Sequence, residues 1–315
     1  MQFIFLNEHG RLRSGWRAVV FLFFFLLAAG IFRTFEEIAV SALPVEVSNA
    51  NLLFFTVNSI GLLVLALALG GVAGKLFESV PFRALGVSFT TGWLKHFLSG
   101  IAIGGLTLLI AVSIVLLFGG ERFQLNPSDG WQTILASMGF SLVVFATGAA
   151  WEEAFFRGYI LQTFTRSGLA RLAIILTSAF FGLVHLGNRD ATAISTLNTV
   201  LAGLVFSVAY FKTRDLWFVW GIHLMWNWMQ GSFFGIEVSG LTNITTSPLL
   251  REIDYGPIWL TGQTYGIEGG AACTFALIVS MALIYFLPNP RPDKELLALS
   301  SPPVPESEPP AVAGG

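Results

Sequence analysis

Eight apolar stretches dominate the sequence, at about residues 16–33, 52–74, 97–118, 136–164, 171–187, 191–211, 216–235 and 269–287. About 20 apolar residues in a helix suffice to cross the hydrocarbon core of a bilayer. The expected fold is therefore all-α: a polytopic membrane bundle of about eight transmembrane helices. Composition closes off the alternative of a soluble globular enzyme. Of the 315 residues, 54% are hydrophobic and only 11% charged, against about 25% charged in an ordinary soluble domain. Phe alone occurs 30 times, and mean hydropathy is +0.72. The formal net charge of −2 argues against a nucleic-acid partner, which needs a dense basic patch. No phosphate-binding glycine loop is present, so no nucleotide is expected. A single cysteine, Cys273, excludes an intrachain disulfide and a Cys-rich metal site.

The first stretch follows Arg11, Arg13 and Arg17 and ends in Ala28-Ala29-Gly30, as a signal peptide would. It is long for an h-region of about 7–15 residues and is read as an uncleaved first span. With the N-terminus in the cytoplasm, eight crossings put twelve Lys/Arg on the cytoplasmic side. Four (Arg33, Arg122, Arg189 and Arg251) fall outside, and Arg157 lies within a span. The positive-inside rule then places both termini in the cytoplasm. Residues 75–96 read as an interfacial amphipathic stretch, and 236–268 as the longest external loop. Gly70/Gly74 and Gly100/Gly104 have the spacing that lets helices pack closely. Four regions are expected: helices 1–3 (1–129), a core of helices 4–7 (130–235), an external loop with the last helix (236–287), and a disordered tail (288–315).

Ionisable groups inside a span are costly and mark function by default. The fourth stretch holds Glu152, Glu153 and Arg157, the fifth Phe181 and His185, the seventh His223 and Asn227. Glu152 lies 14 residues before Arg166, and His185 lies 14 residues after Arg171. Across one antiparallel hairpin this sets both side chains about 21 Å from the turn. Asn227 is 13 residues past Arg214, about 20 Å by the same rise. Three helices thus bring polar groups to one level. Glu153 and Arg157 are i and i+4, an ion pair on one face; Glu152 points about 100° away and is left without that partner. Phe181 shares a face with His185, and His223 with Asn227.

The three motifs Glu-Glu-x-x-x-Arg (Glu152–Arg157), Phe-x-x-x-His (Phe181–His185) and His-x-x-x-Asn (His223–Asn227) together resemble the CPBP family, the CAAX proteases and bacteriocin-processing enzymes also called the Abi family. The resemblance covers about residues 130–235. Gly10–Arg17 and the segment Thr261–Gly270 also look like those of bacterial members, the latter with no assignable chemistry. The resemblance implies an intramembrane endopeptidase with a polar cavity open toward the cytoplasm, set in the bacterial inner (plasma) membrane. Its substrate would be a protein or peptide within the lipid bilayer. Glu152 would be the general base for a water that His185 helps to hold, and His223 and Asn227 would steady the oxyanion. Glu153 and Arg157 would shape the site, and Phe181 would wall off bulk water. Glu152, His185 and His223 also suit a Zn2+ ion with water as the remaining ligand. Two other classes compete. A transporter would show inverted repeats or paired broken helices, and none is visible. A non-catalytic interaction or self-immunity protein could lose motif residues, yet all are present.

Overall fold

The structure, a computed structural model, describes residues 2–7, 10–42, 47–126, 129–241 and 244–302. Each of the eight apolar stretches is helical. We name the helices α1 (Ser14–Ser41), α2 (Val47–Ala73), α3 (Trp93–Leu117), α4 (Trp131–Glu153), α5 (Ala170–Val184), α6 (Ala193–Thr213), α7 (Leu216–Trp228) and α8 (Ala271–Phe286). After Glu153 the α4 path continues through a π-helical turn, Ala154–Ile160, and a last α-helical turn, Leu161–Arg166. A second π-helical turn, Met229–Phe234, extends α7. Six of these helices are long and apolar enough to cross a membrane. Large apolar side chains such as Phe23, Leu26, Leu117, Ile175 and Phe275 lie exposed on the outside, where a bilayer rather than water must cover them.

The α7 path through Phe234 is not among the six, since Trp, His, Asn and Gln interrupt it, and it lies in the interior. Phe218, Val219, Ile222, His223 and Trp226 are all buried. Its close neighbour is α3. A Cβ on Gly100 would stand 2.2 Å from the Phe218 carbonyl oxygen, and one on Gly104 would stand 2.4 Å from that of Ile222. The Gly100/Gly104 pair therefore serves the close packing expected of it, and on the helix that carries His223. Helix starts are fixed locally. Asp215 accepts the backbone N–H groups of Trp217 and Phe218 at the head of α7. Thr192 and Ser195 form a reciprocal capping box on α6.

The α4 path turns into α5 at Gly168, whose φ of +78° suits glycine. At this end Arg166 grips Glu78 with two parallel hydrogen bonds of 2.9 Å. Arg17 of α1 pairs with the same carboxylate at 3.1 Å. Further along α1, Phe25 stacks on Phe155 at 4.4 Å and Phe21 on Tyr159 at 5.0 Å. The first stretch is thus an unbroken helix built into the bundle.

Three segments differ from expectation. The stretch from 75 to 96, read as interfacial, runs through a π turn to Glu78 and a 3-10 turn, Phe82–Leu85, before α3 begins at Trp93. Its inner edge is tied down where Leu85 O accepts the Gln162 side chain and Gly86 O accepts the Leu216 N–H. The long loop after α7 carries a strand, β2 (Leu250–Asp254), antiparallel to β1 (Glu121–Leu125), with Glu121 opposite Asp254. No alternation of apolar and polar residues announces these short strands. The tail expected to be disordered is ordered as far as Pro302. Asp293 caps a helix, Lys294–Ser300, that buries Leu296, and Arg83 pairs with Glu295 at 2.7 Å. Residues 303–315 lie outside the described residues.

Candidate active site

Glu153 closes α4 at the start of the π turn and is fully buried, as is Arg157. Their ion pair spans 3.2 Å, in the i, i+4 arrangement the sequence implies. A buried arginine must satisfy several donors, and Arg157 also donates to the Gly203 carbonyl of α6 at 3.1 Å. Its guanidinium lies 4.8 Å from the Phe181 ring centre and 5.2 Å from that of Phe206, distances suited to cation–π attraction. One cation thereby joins α4, α5 and α6.

Sequence reasoning paired Glu153 with Arg157 alone. In the structure Glu153 also accepts from Nδ1 of His223 at 2.8 Å. Because the carboxylate can only accept, Nδ1 carries a proton and Nε2 is the working nitrogen. Nε2 faces Glu152, 3.6 Å from its Oε2. Phe206 stacks flat on the ring at 4.8 Å and fixes its plane. His185 is oriented in the same manner. Its Nδ1 donates to the Phe181 carbonyl at 2.7 Å, and the neutral ring therefore has its lone pair on Nε2. The Phe181 side chain packs on that ring at 4.7 Å.

Glu152 has one oxygen, Oε2, that is buried and meets no hydrogen-bond donor. It lines a cavity of about 270 Å³ together with Phe181, His185, His223 and Asn227. The residues predicted to share one depth do share one cavity, and Glu153 and Arg157 stand behind its wall. The rest of the lining is chiefly apolar and aromatic, including Phe55, Phe145, Trp151 and Trp226.

One lining residue escaped the sequence reading. Glu268 sits in the Gly-rich segment before α8, which had no assigned chemistry. Its Oε1 accepts from Trp226 Nε1 at 3.0 Å, and its Oε2 accepts the N–H and hydroxyl of Ser239 at 2.6 and 2.7 Å. Nearby Gly266 has φ +88°, and a Cβ there would lie 1.8 Å from the Glu237 carbonyl oxygen. The glycines thus let this loop close on the segment after α7 and carry Glu268 to the cavity. An acid flanked by glycines just ahead of a span was the signal available.

A zinc ion would need atoms of Glu152, His185 and His223 each at about 2.0–2.2 Å. Among the described residues, only Glu121, Glu252 and Asp254 form an acid, histidine or cysteine group of three whose ligand atoms lie within 4.8 Å of one another. The zinc set that the sequence allowed is therefore not assembled in this geometry.

Comparison with known proteins bears on the same region. Residues 134–229 match the family described as Type II CAAX prenyl endopeptidase Rce1-like. The matched segment takes in nearly all of α4 and the whole of α5, α6 and α7, hence every motif residue from Glu152 to Asn227. No curated protein and no solved structure matches the chain.

Proposed function

We propose that the protein is an intramembrane endopeptidase. It hydrolyses peptide bonds of membrane-associated or lipidated proteins with a water activated by Glu152. The observation that carries this reading is the Oε2 of Glu152, buried without a hydrogen bond and 3.6 Å from His223 Nε2, at a cavity that also holds His185, His223 and Asn227. A water between Glu152 and His185 gives one proton to the carboxylate while His185 Nε2 accepts the other as a hydrogen bond. Its oxygen attacks the scissile carbonyl carbon. The resulting oxyanion is steadied by the Asn227 amide and by His223 Nε2–H when that ring carries both protons. One well-aimed donor is worth about 3–4 kcal/mol. Glu152 then passes its proton to the leaving amine, and the C–N bond breaks. This sequence of proton moves needs no metal ligand set. The apolar lining suits a membrane-anchored peptide segment.

The test is cleavage of a prenylated or transmembrane peptide by the purified protein in detergent, run in ¹⁸O-labelled water. One ¹⁸O should enter the new carboxyl group, and thorough chelation should leave the rate unchanged. A rate abolished by chelation and restored by zinc would overturn the glutamate mechanism. An intact fold that cleaves no membrane peptide would favour the interaction-protein reading.

The twelve-to-four distribution of Lys and Arg supports cytoplasmic placement of both termini, and the likeness of Gly10–Arg17 and Thr261–Gly270 to bacterial members supports a bacterial inner membrane. A reporter fused after Gly315 should then behave as cytoplasmic, and one inserted at Thr246 as external. An external C-terminal reporter would reverse this topology.

A further inference from the structure

The two-stranded sheet carries an electrostatic arrangement that its own fold does not balance. Glu121 stands directly across from Asp254, and Glu252 is two residues back on the same face. Like charges placed opposite one another on a sheet destabilise it. Glu121 is 1% exposed, and neither of its oxygens meets a donor from outside the acidic group. Burial, with the Asp254 charge beside it, pushes the Glu121 carboxyl well above the usual carboxylate range. Burial, followed by the charges of Glu121, Glu237 and Asp254, does the same to Glu252. Glu237 adds a fourth acid nearby.

The basic residues of the strands face the other way. Arg122 and Arg251 alternate onto the opposite face. There Arg122 lies over Tyr255 at 5.7 Å and Arg251 pairs with Asp129 at 3.7 Å. Among the described residues no cation answers the acidic face. Asp254 is held in place, its two oxygens accepting from Gly256 N–H at 2.7 Å and Thr261 Oγ1 at 2.8 Å. One ligand oxygen from each of Glu121, Glu252 and Asp254 lies within 4.8 Å of the others. Ca2+–oxygen distances of about 2.3–2.6 Å place ligands around one ion at up to that spacing. An all-oxygen set suits a hard cation rather than zinc.

We infer that Glu121, Glu252 and Asp254 form a site for a hard divalent cation of the Ca2+ class. Phe123, on the same strand face as Glu121, stacks on Phe234 at the end of the α7 path at 5.1 Å. The bound ion thereby joins β1 to β2 beside the end of the helix path that carries His223 and Asn227. The site is separate from the cavity, and the inference does not depend on the proposed peptidase activity.

Thermal melting of the full-length protein in detergent at pH 7.5, first with EDTA and then with added CaCl2, tests it. Ca2+ should raise the melting temperature by about 3 °C or more, as expected for a ligand that binds only the folded state. Half the effect should come near 0.1–1 mM, roughly the affinity of extracellular Ca2+ modules. Glu121→Gln should lose the response while melting no lower than the wild type in EDTA, because it removes a repulsion. Glu252→Gln should behave in the same way and serves if the first variant fails to fold. No Ca2+ response in the wild type, or an equal response in Glu121→Gln, would overturn the inference. So would a wild-type melting temperature that rises on acidification from pH 8 to 6 and ignores Ca2+. Carboxyls whose folded pKa is raised stabilise the fold below that value and cease to as pH rises through it, so protons alone would then be the neutralising agent.

Discussion

Glu152→Gln is expected to lower peptide cleavage by about 10²–10⁴-fold, the usual range for losing a general base, with the melting temperature nearly unchanged. The amide keeps the shape of the side chain but cannot take a proton from water. Little stability should go with it, because the Oε2 it replaces has no hydrogen-bond donor to lose. Parallel rate and melting measurements on the variant and the wild type give the answer. A variant that melts normally and cleaves at the wild-type rate would remove Glu152 from the mechanism.

Glu153→Gln should do the opposite kind of damage. Glu153 binds two partners at once, Arg157 at 3.2 Å and His223 Nδ1 at 2.8 Å. Neutralising it strands a fully buried guanidinium, and breaking a buried pair in this way costs about 3–5 kcal/mol. It also weakens the hold on the His223 ring, because the one remaining amide oxygen must serve both Arg157 and Nδ1. We expect a sharp fall in the yield of folded protein, a markedly lower melting temperature and a loss of activity in whatever folds. Arg157→Met in the same chain should recover part of the stability and little of the activity, since it removes the stranded charge without restoring the histidine. Equal melting temperatures for Glu152→Gln and Glu153→Gln would refute this division between the two acids.

The two neighbouring acids also show how far the sequence can be read. Their opposite fates follow from helical phase alone. Residues one apart diverge by about 100°, so one acid faces the cavity and the other faces Arg157. The common depth of Glu152, His185, His223 and Asn227 follows in the same way from residue counts and a fixed rise. The His223–Glu153 bond is not legible, because it depends on which faces of α4 and α7 meet. That choice rests on packing, including the glycine contact between α3 and α7 at Gly100 and Gly104. Glu268 was hidden for a related reason: it reaches the cavity through loop geometry, which has no periodicity to read. The strands Glu121–Leu125 and Leu250–Asp254 are five residues each and pair across more than a hundred intervening residues. The ordered tail was missed because its Pro, Ser and Glu content resembles a solvated segment, whereas a single Asp293 cap and one buried leucine hold its first helix in place.

The contacts of α1 also set an order of events in biosynthesis. This helix leaves the ribosome before the other seven, carrying Arg17 ahead of the carboxylate that pairs with it. Glu78 arrives with the second span, but the cluster is complete only when Arg166 follows at the end of the fourth. Phe21 and Phe25 likewise wait for Phe155 and Tyr159, which are made more than a hundred residues later. Until then the first helix has only α2 to pack on, where Asn58 donates to Glu36 at 2.7 Å, and the stretch of chain that holds Glu152 is still to be made. The first of the eight helices therefore completes its contacts only when the fourth has been made. Its docking and the arrival of the α4 acids belong to the same stage of assembly.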